Sequence, residues 1–411
     1  MKIVLTFQGI EHRFQCTRCG SCCSDYIRLT PMEAKVLKKV ASDRGLSDVI
    51  DDIACVIVPT ESGTCPFVAF GNVATCTIYG DRPGVCRLFP IYIAVPKPGE
   101  IFVDLYRCPG VDRGDGVVIT EEYVRRLLSE VPTGEEFLKW CYYDSRFSLG
   151  GLLPLCIVDD LVVLLDFDGK RAFMWCIADV LRELDCSSLV EATLAISWAF
   201  EKYCQHLASL RREGSCRRVM VSGREYYVLR LGKDCVESCI SDLRKFLKEL
   251  ACKYLESRDD VRGRVLKVLK MLVSEGTSVE VPEEVLLMRF SDDALRFGRD
   301  YMWEVLRRVG VLEPAYLTYI TEVLRGGLVG LVAMIEILAK TSARLSGRDI
   351  VEVSDLRYAI AESDLACKYV FERVLESVLE IDPILSLLLA RRIKRRMKFL
   401  IKRLLSHGGS S

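Results

Sequence analysis

Histidine is nearly missing from this chain: its 411 residues include only His12, His206 and His407. A Ser/His/Asp or Cys/His relay needs an imidazole beside its nucleophile, and three scattered rings offer no such arrangement. Net charge is missing too. Fifty-seven basic side chains balance 57 acidic ones, so no global field draws the chain to nucleic acid or to an anionic surface. Long apolar runs are absent: the stretches around Leu161–Phe167 and Leu328–Ile335 are short and interrupted or bounded by Asp or Glu, too short to span a bilayer. Met1–Gln8 lacks the apolar length of a secretion signal, which leads us to expect a cytoplasmic protein. No Walker-type phosphate loop occurs, and Gly110, Gly114 and Gly116 follow a cysteine turn rather than a strand. Half of the residues are hydrophobic, so the chain is no disordered tail and is long enough for two or three domains.

What the chain has in abundance is cysteine, 19 in all. Four stand within eight residues, Cys16, Cys19, Cys22 and Cys23, in the pattern Cys-x-x-Cys-x-x-Cys-Cys; Cys65, Cys76, Cys86 and Cys108 follow singly. A thiolate is a soft, strong metal ligand, and Cys-x-x-Cys lets one tight turn aim two sulfurs at one ion. In a reducing compartment such a cluster points to metal ligation rather than disulfides. Cys55, inside the apolar run Ile53–Val58, reads as a buried strand residue that does not ligate. The later cysteines, Cys156, Cys204 and Cys235/Cys239 among them, read as small buried hydrophobes.

The pattern along the chain predicts an α+β protein in three regions. Residues 1–115 form a small cysteine-cluster metal-binding domain. Lys2–Phe7 reads as a strand, and Thr30-Pro31-Met32-Glu33 opens a helix running to Ser42, with Thr30 as N-cap and Glu33 closing a capping box. Gly71-Asn72 turns a hairpin with Cys65 on one arm and Cys76 on the other. Residues 116–255 are a mixed α/β region with two hairpins, one turning at Asp168-Gly169 and one at Ser222-Gly223, and with helical periodicity over 188–212. Residues 256–411 read as α-helical, ending in a basic amphipathic helix, Arg391–Arg403, with eight basic residues in 13 and no acidic one. Such a helix suits nucleic acid, an anionic surface or an acidic partner, or is a solvated terminal face.

The strings Phe14–Cys23, Cys65-Pro66-Phe67, Cys76–Tyr79, Arg82–Pro90 and Cys108-Pro109-Gly110 resemble, in order, the YkgJ-type cysteine-cluster family. That family is described as a zinc- or iron-chelating domain and often as iron–sulfur proteins. One branch is similar to flagellin lysine N-methylases. The resemblance covers about residues 10–112 and implies metal ligation by the eight cysteines. It leaves three readings open: an iron–sulfur protein with a redox or redox-coupled role, a structural zinc protein whose helical part recruits a protein partner, and a protein-lysine methyltransferase.

Ligand chemistry narrows the site without deciding the metal. Zinc and a [4Fe–4S] cluster each take four ligands, so eight thiols suit two sites. A bacterial ferredoxin run would need a cysteine where Tyr26 stands. Adjacent side chains diverge, so Cys22 and Cys23 are expected to face different neighbours. Arg82, Arg87 and Arg107 lie beside the cysteines and would offset thiolate charge, Tyr79 and Phe89 would dry the site, and His12 reads as an exposed strand-end residue.

Overall fold

The computed structural model describes residues 1–363 apart from short stretches, the longest at 145–152, 210–216 and 310–319. Arg391–Arg403, Cys216 and Cys367, and the Ser222-Gly223 turn, lie outside the described residues, as does the side chain of Cys235. The chain divides into two compact units, Met1–Arg146 and Phe147–Ser411. Small sheets dominate the first and helices the second, so the fold class is α+β. Among the described residues no helix is long and apolar enough to cross a membrane.

The first unit is a set of short strands: β1 (Lys2–Leu5), β2 (Arg13–Phe14), β3 (Ile27–Arg28), β4 (Ile50–Asp51), β5 (Val56–Ile57), β6 (Val68–Phe70), β7 (Ala74–Cys76), β8 (Ile91–Lys97), β9 (Glu100–Leu105) and β10 (Val117–Val118). Its helices are α1 (Pro31–Ser42), α2 (Gly84–Leu88), α3 (Glu121–Ser129) and α4 (Gly134–Asp144). β9 lies between β1, parallel to it, and β8, antiparallel. Ile3, Ile91, Ile93, Val103 and Leu105 of this sheet pack with Val124 and Leu128 of α3 and Phe137 of α4 in one core. A second, smaller core gathers Leu29, Ala34, Leu37, Ala41, Ile50, Ile57, Phe67 and Ile78 around α1, with Cys65 inside it and Cys23 and Cys76 against it.

The start of α1 is local chemistry. The Thr30 hydroxyl accepts from Glu33 N at 3.2 Å, and Glu33 Oε2 accepts from Thr30 N at 2.8 Å, which gives two of the helix's unpaired N-terminal amides a partner. Cys55 departs from the expected buried strand. It precedes β5 with φ +51, is half-buried, and its thiol donates to the Asp52 carbonyl at 3.5 Å; Ile53 is 95 % exposed. The apolar run is thus a turn followed by a two-residue strand.

The second unit opens with β11 (Leu153–Val158) and β12 (Leu161–Leu165) and continues with α5 (Phe167–Glu183), α6 (Leu189–Ser209), β13 (Arg217–Val221), β14 (Arg224–Arg230), α7 (Lys233–Glu256), α8 (Arg258–Gly276), α9 (Asp292–Val309) and α10 (Val329–Leu345). The strands form one sheet in the order β11-β12-β14-β13, with β12 parallel to β14 and the outer pairs antiparallel. Two hairpins are present, β11/β12 and β13/β14, but no hairpin turns at Asp168-Gly169. That dipeptide is the first turn of α5. The Asp166 carboxylate accepts from Gly169 N at 2.7 Å and caps the helix, and Lys170, Phe173, Met174, Ile177 and Leu181 then repeat at helical rather than alternating spacing in the buried face. α10 is buried nearly all round, the mark of a central helix. Its Glu336 accepts from Ser188 Oγ at 2.8 Å, Val190 N at 3.1 Å and Lys340 Nζ at 2.7 Å, which holds the start of α6 to α10.

Candidate metal centre

The Cys16–Cys23 segment leaves β2 and ends in a 3₁₀ turn over Ser21–Cys23. Its two halves are attached to different parts of the first unit. At the start, Gln15 N donates to Gly110 O at 2.9 Å and Phe14 bridges to Val111, which sets Cys16 and Cys19 beside the turn that carries Cys108. At the end, Ala74 N donates to Arg18 O at 2.9 Å and Cys65 N to Cys23 O at 2.7 Å, which sets Cys23 beside the β6/β7 hairpin. Cys76 closes the β7 arm; Cys65 stands three residues before β6 rather than on it. Gly20 makes the turn fit. Its φ is +77, and a Cβ there would lie 2.7 Å from Phe70 Cε1 and 2.9 Å from Ala74 Cβ, so only glycine suits both the left-handed backbone and the space.

Cys86 rides on α2. The N-terminus of that helix is held from α1: Glu33 Oε1 accepts from Gly84 N at 2.6 Å, while the same carboxylate's other oxygen completes the capping box. Arg87 Nε donates to Arg82 O at 2.8 Å, and its guanidinium also donates to Gly80 O, fastening the preceding turn.

The mutual effects of the thiols show who neighbours whom. Cys22 donates a thiol hydrogen bond to Cys23. That bond, with the neighbouring sulfurs of Cys23, Cys86 and Cys16, pushes Cys22 far up. The same bond lowers Cys23 to about 7, against burial and with help from Arg82. Burial raises Cys65 to about 11, with Cys23 and Cys76 adding to it. Cys76 is raised by burial and by Cys23, while Arg82 and Arg44 pull it down. Cys86 is raised by burial and by Cys65, Cys23 and Cys76. Cys108 is raised to about 11 by burial, with Cys19 and Cys16 adding to it. Two neighbourhoods emerge, Cys23/Cys65/Cys76/Cys86 and Cys16/Cys19/Cys108, with Cys22 next to Cys23 and within reach of both Cys16 and Cys86. Cys16, Cys19 and Cys22 are exposed, whereas Cys65 and Cys108 are buried. Among the described residues no three cysteine, histidine or carboxylate side chains stand in a ready-made metal site. The thiols share one region without yet converging on a point.

The flanking residues divide differently from expectation. Arg82 acts on Cys23, Cys76 and Cys86, and Arg44, just beyond the end of α1, acts on Cys76 as well. Arg107 pairs with Asp112. Tyr79 is 65 % exposed under the Arg82 guanidinium, 3.7 Å away, and so dries nothing. His12 is not exposed. It is buried, with Nδ1 2.9 Å from Asp112 Oδ1 and both ring nitrogens 3.2 Å from the Arg107 guanidinium. This trio ties the entry of the Cys16 segment to the Cys108 turn.

Residues 15–109 match the family model CxxCxxCC, "Putative zinc- or iron-chelating domain". This segment is similar to the CxxCxxCC family. The match spans all eight cysteines and supports a zinc- or iron-chelating role for this part of the chain. No curated protein and no solved structure matches the chain. The matched segment ends before α3, so the remaining residues take no role from the match.

Proposed function

We propose that the first unit chelates metal at two four-thiolate sites, one formed by Cys23, Cys65, Cys76 and Cys86 and the other by Cys16, Cys19, Cys22 and Cys108. The observation that carries this reading is the set of backbone hydrogen bonds at Gln15, Arg18 and Cys23, which tie the two halves of the Cys16–Cys23 segment to the loops that carry Cys108 and Cys65/Cys76. The donor set is all sulfur, which fits zinc or an iron–sulfur cluster and not a hard ion such as Mg²⁺ or Ca²⁺. Loading requires the sulfurs to draw in to about 3.5–4 Å from one another around each centre. Most of them sit on short loops or on the one-turn helix α2.

An iron–sulfur centre supplies one-electron chemistry when bound; zinc supplies a fold-stabilising staple. The protein's part is the same for either. It brings four thiols to each centre, offsets their charge at one of them with Arg82, and keeps water from Cys65 and Cys108. The exposed Cys16/Cys19/Cys22 face suits a redox exchange more than a closed staple does, which favours the iron–sulfur reading. Metal analysis of cysteine variants tests the assignment. Cys65→Ser and Cys108→Ser each lose about half of the bound metal, and Cys55→Ser loses none. Complete loss in both single variants, with the fold intact by circular dichroism, would replace two sites by one.

A further inference from the structure

The thiols of the first unit are not all held alike. Cys65 lies inside the smaller core, and Cys23 and Cys76 pack against it. Cys86 is half-buried on α2, whose first amide is held from α1 by Glu33 at 2.6 Å. These four sulfurs are fixed by packing or by an anchored helix. Cys16, Cys19 and Cys22 are exposed, and neither they nor Cys108 belong to either core. Residues 15–19 form neither strand nor helix. Their backbone is tied at Gln15 to Gly110 and at Arg18 to Ala74, while the Cys19 thiol reaches no further than the Ser21 hydroxyl two residues on, at 3.4 Å. A bound metal leaves a site when a competing ligand can reach it and a protein ligand can swing aside, and the apolar shell around the site governs both. Three sulfurs on an exposed loop allow this; sulfurs set in a core do not.

We propose that the Cys16/Cys19/Cys22/Cys108 site exchanges its metal with a thiol-bearing acceptor, while the Cys23/Cys65/Cys76/Cys86 site keeps its metal as a fixed staple. This rests on the two-site reading above. A soft donor set yields its metal most readily to another soft donor, which makes the acceptor a thiol. With zinc, each exchange step forms one bond and breaks one. The acceptor thiol releases its proton and its sulfur bonds to the zinc; the bond to one exposed cysteine breaks, and that thiolate takes up a proton. No electron moves. Replacement of Cys16, Cys19 and Cys22 in turn leaves Cys108 as the last ligand, and its departure frees the metal. The same steps in reverse load the site.

The test uses the full-length protein loaded with zinc, mixed with reduced glutathione and a chromophoric chelator that traps the zinc released. The result expected is release in two phases of equal size, the first faster by about tenfold or more, the scale on which the surroundings of a metal change its hold. Iodoacetamide added after the first phase, with mapping by mass spectrometry, should label Cys16, Cys19 and Cys22 and spare Cys65, Cys76 and Cys86. Cys19→Ser should lose the fast phase and keep the slow one. If Cys19→Ser fails to fold, the wild-type phases and label map decide. Two equivalents of zinc leaving in a single phase, or label at Cys65, Cys76 or Cys86 after the first phase, overturns this proposal and leaves the two-site reading standing. Binding of one equivalent or none overturns that reading and this proposal with it.

Discussion

Replacing Glu33 with alanine should loosen α1 and α2 together. One carboxylate serves both helices: Oε2 accepts from Thr30 N and Oε1 from Gly84 N, at 2.8 and 2.6 Å. Thr30 and Gly84 are buried, so Glu33→Ala strands two backbone amides. An orphaned buried amide costs about 1–3 kcal/mol. Glu33 itself is half-buried and water reaches part of the space it vacates, so we take about 2–4 kcal/mol for the pair. Glu33→Gln keeps an acceptor oxygen and should cost about half as much. Hydrogen exchange followed by mass spectrometry on the full chain reads the two helices separately. Each 1.4 kcal/mol is a tenfold change in an equilibrium, so with about half of the loss falling on each helix the amides of 31–42 and of 84–88 should each exchange roughly 5- to 30-fold faster in Glu33→Ala. Thr30→Ala removes only the cap bond to Glu33 N, costs about 1 kcal/mol, and should speed exchange in 31–42 while leaving 84–88 nearly unchanged. Faster exchange in 31–42 alone in Glu33→Ala would refute the claim that Glu33 holds the helix bearing Cys86.

Gly20→Ala meets Phe70 and Ala74 in a left-handed backbone position; a loss of about 1–3 kcal/mol should appear in denaturant melts, with faster exchange in β6 and β7. Asp112 is raised by burial but lowered on balance by the His12 hydrogen bond and the Arg107 charge. A depressed carboxyl contributes stability above its unfolded value, about 4, and loses it as pH falls through the folded one. The gap in stability between wild type and Asp112→Asn should therefore be full at pH 6 and shrink as pH falls below about 4, as measured by urea melts; a gap constant with pH would contradict the assignment. Glu336→Ala breaks an almost wholly buried ion pair with Lys340 and should cost about 3–5 kcal/mol in the thermal or denaturant unfolding of the second unit.

What could be read from the sequence was whatever is local. The Thr30–Glu33 box lies within four residues, and its hydrogen bonds are those the residue types demand. The cysteine spacing and the Gly71-Asn72 hairpin were legible for the same reason. Long-range partners were not. Glu33 reaches Gly84 across 51 positions and His12 reaches Asp112 across 100, and no spacing rule announces either. His12, read as exposed, is buried for that reason. Asp168-Gly169 was misread because the dipeptide was weighed without Asp166, whose carboxylate turns the same residues into a helix start. Cys55 was misread because apolar composition alone does not reveal a left-handed residue. The division of the eight thiols into neighbourhoods depends on which half of the Cys16–Cys23 segment is tied to which loop, and the sequence is silent on that.

The account rests on metal bound by the first unit. The most direct measurement is the metal content and absorbance spectrum of the full-length protein purified without oxygen. The account predicts iron with sulfide and a brown colour absorbing near 400 nm, or stoichiometric zinc in a colourless protein, lost in either case from a Cys65→Ser/Cys108→Ser double variant. A wild-type protein that is folded yet free of metal, and that stays so after incubation with zinc or with iron and sulfide, would contradict it.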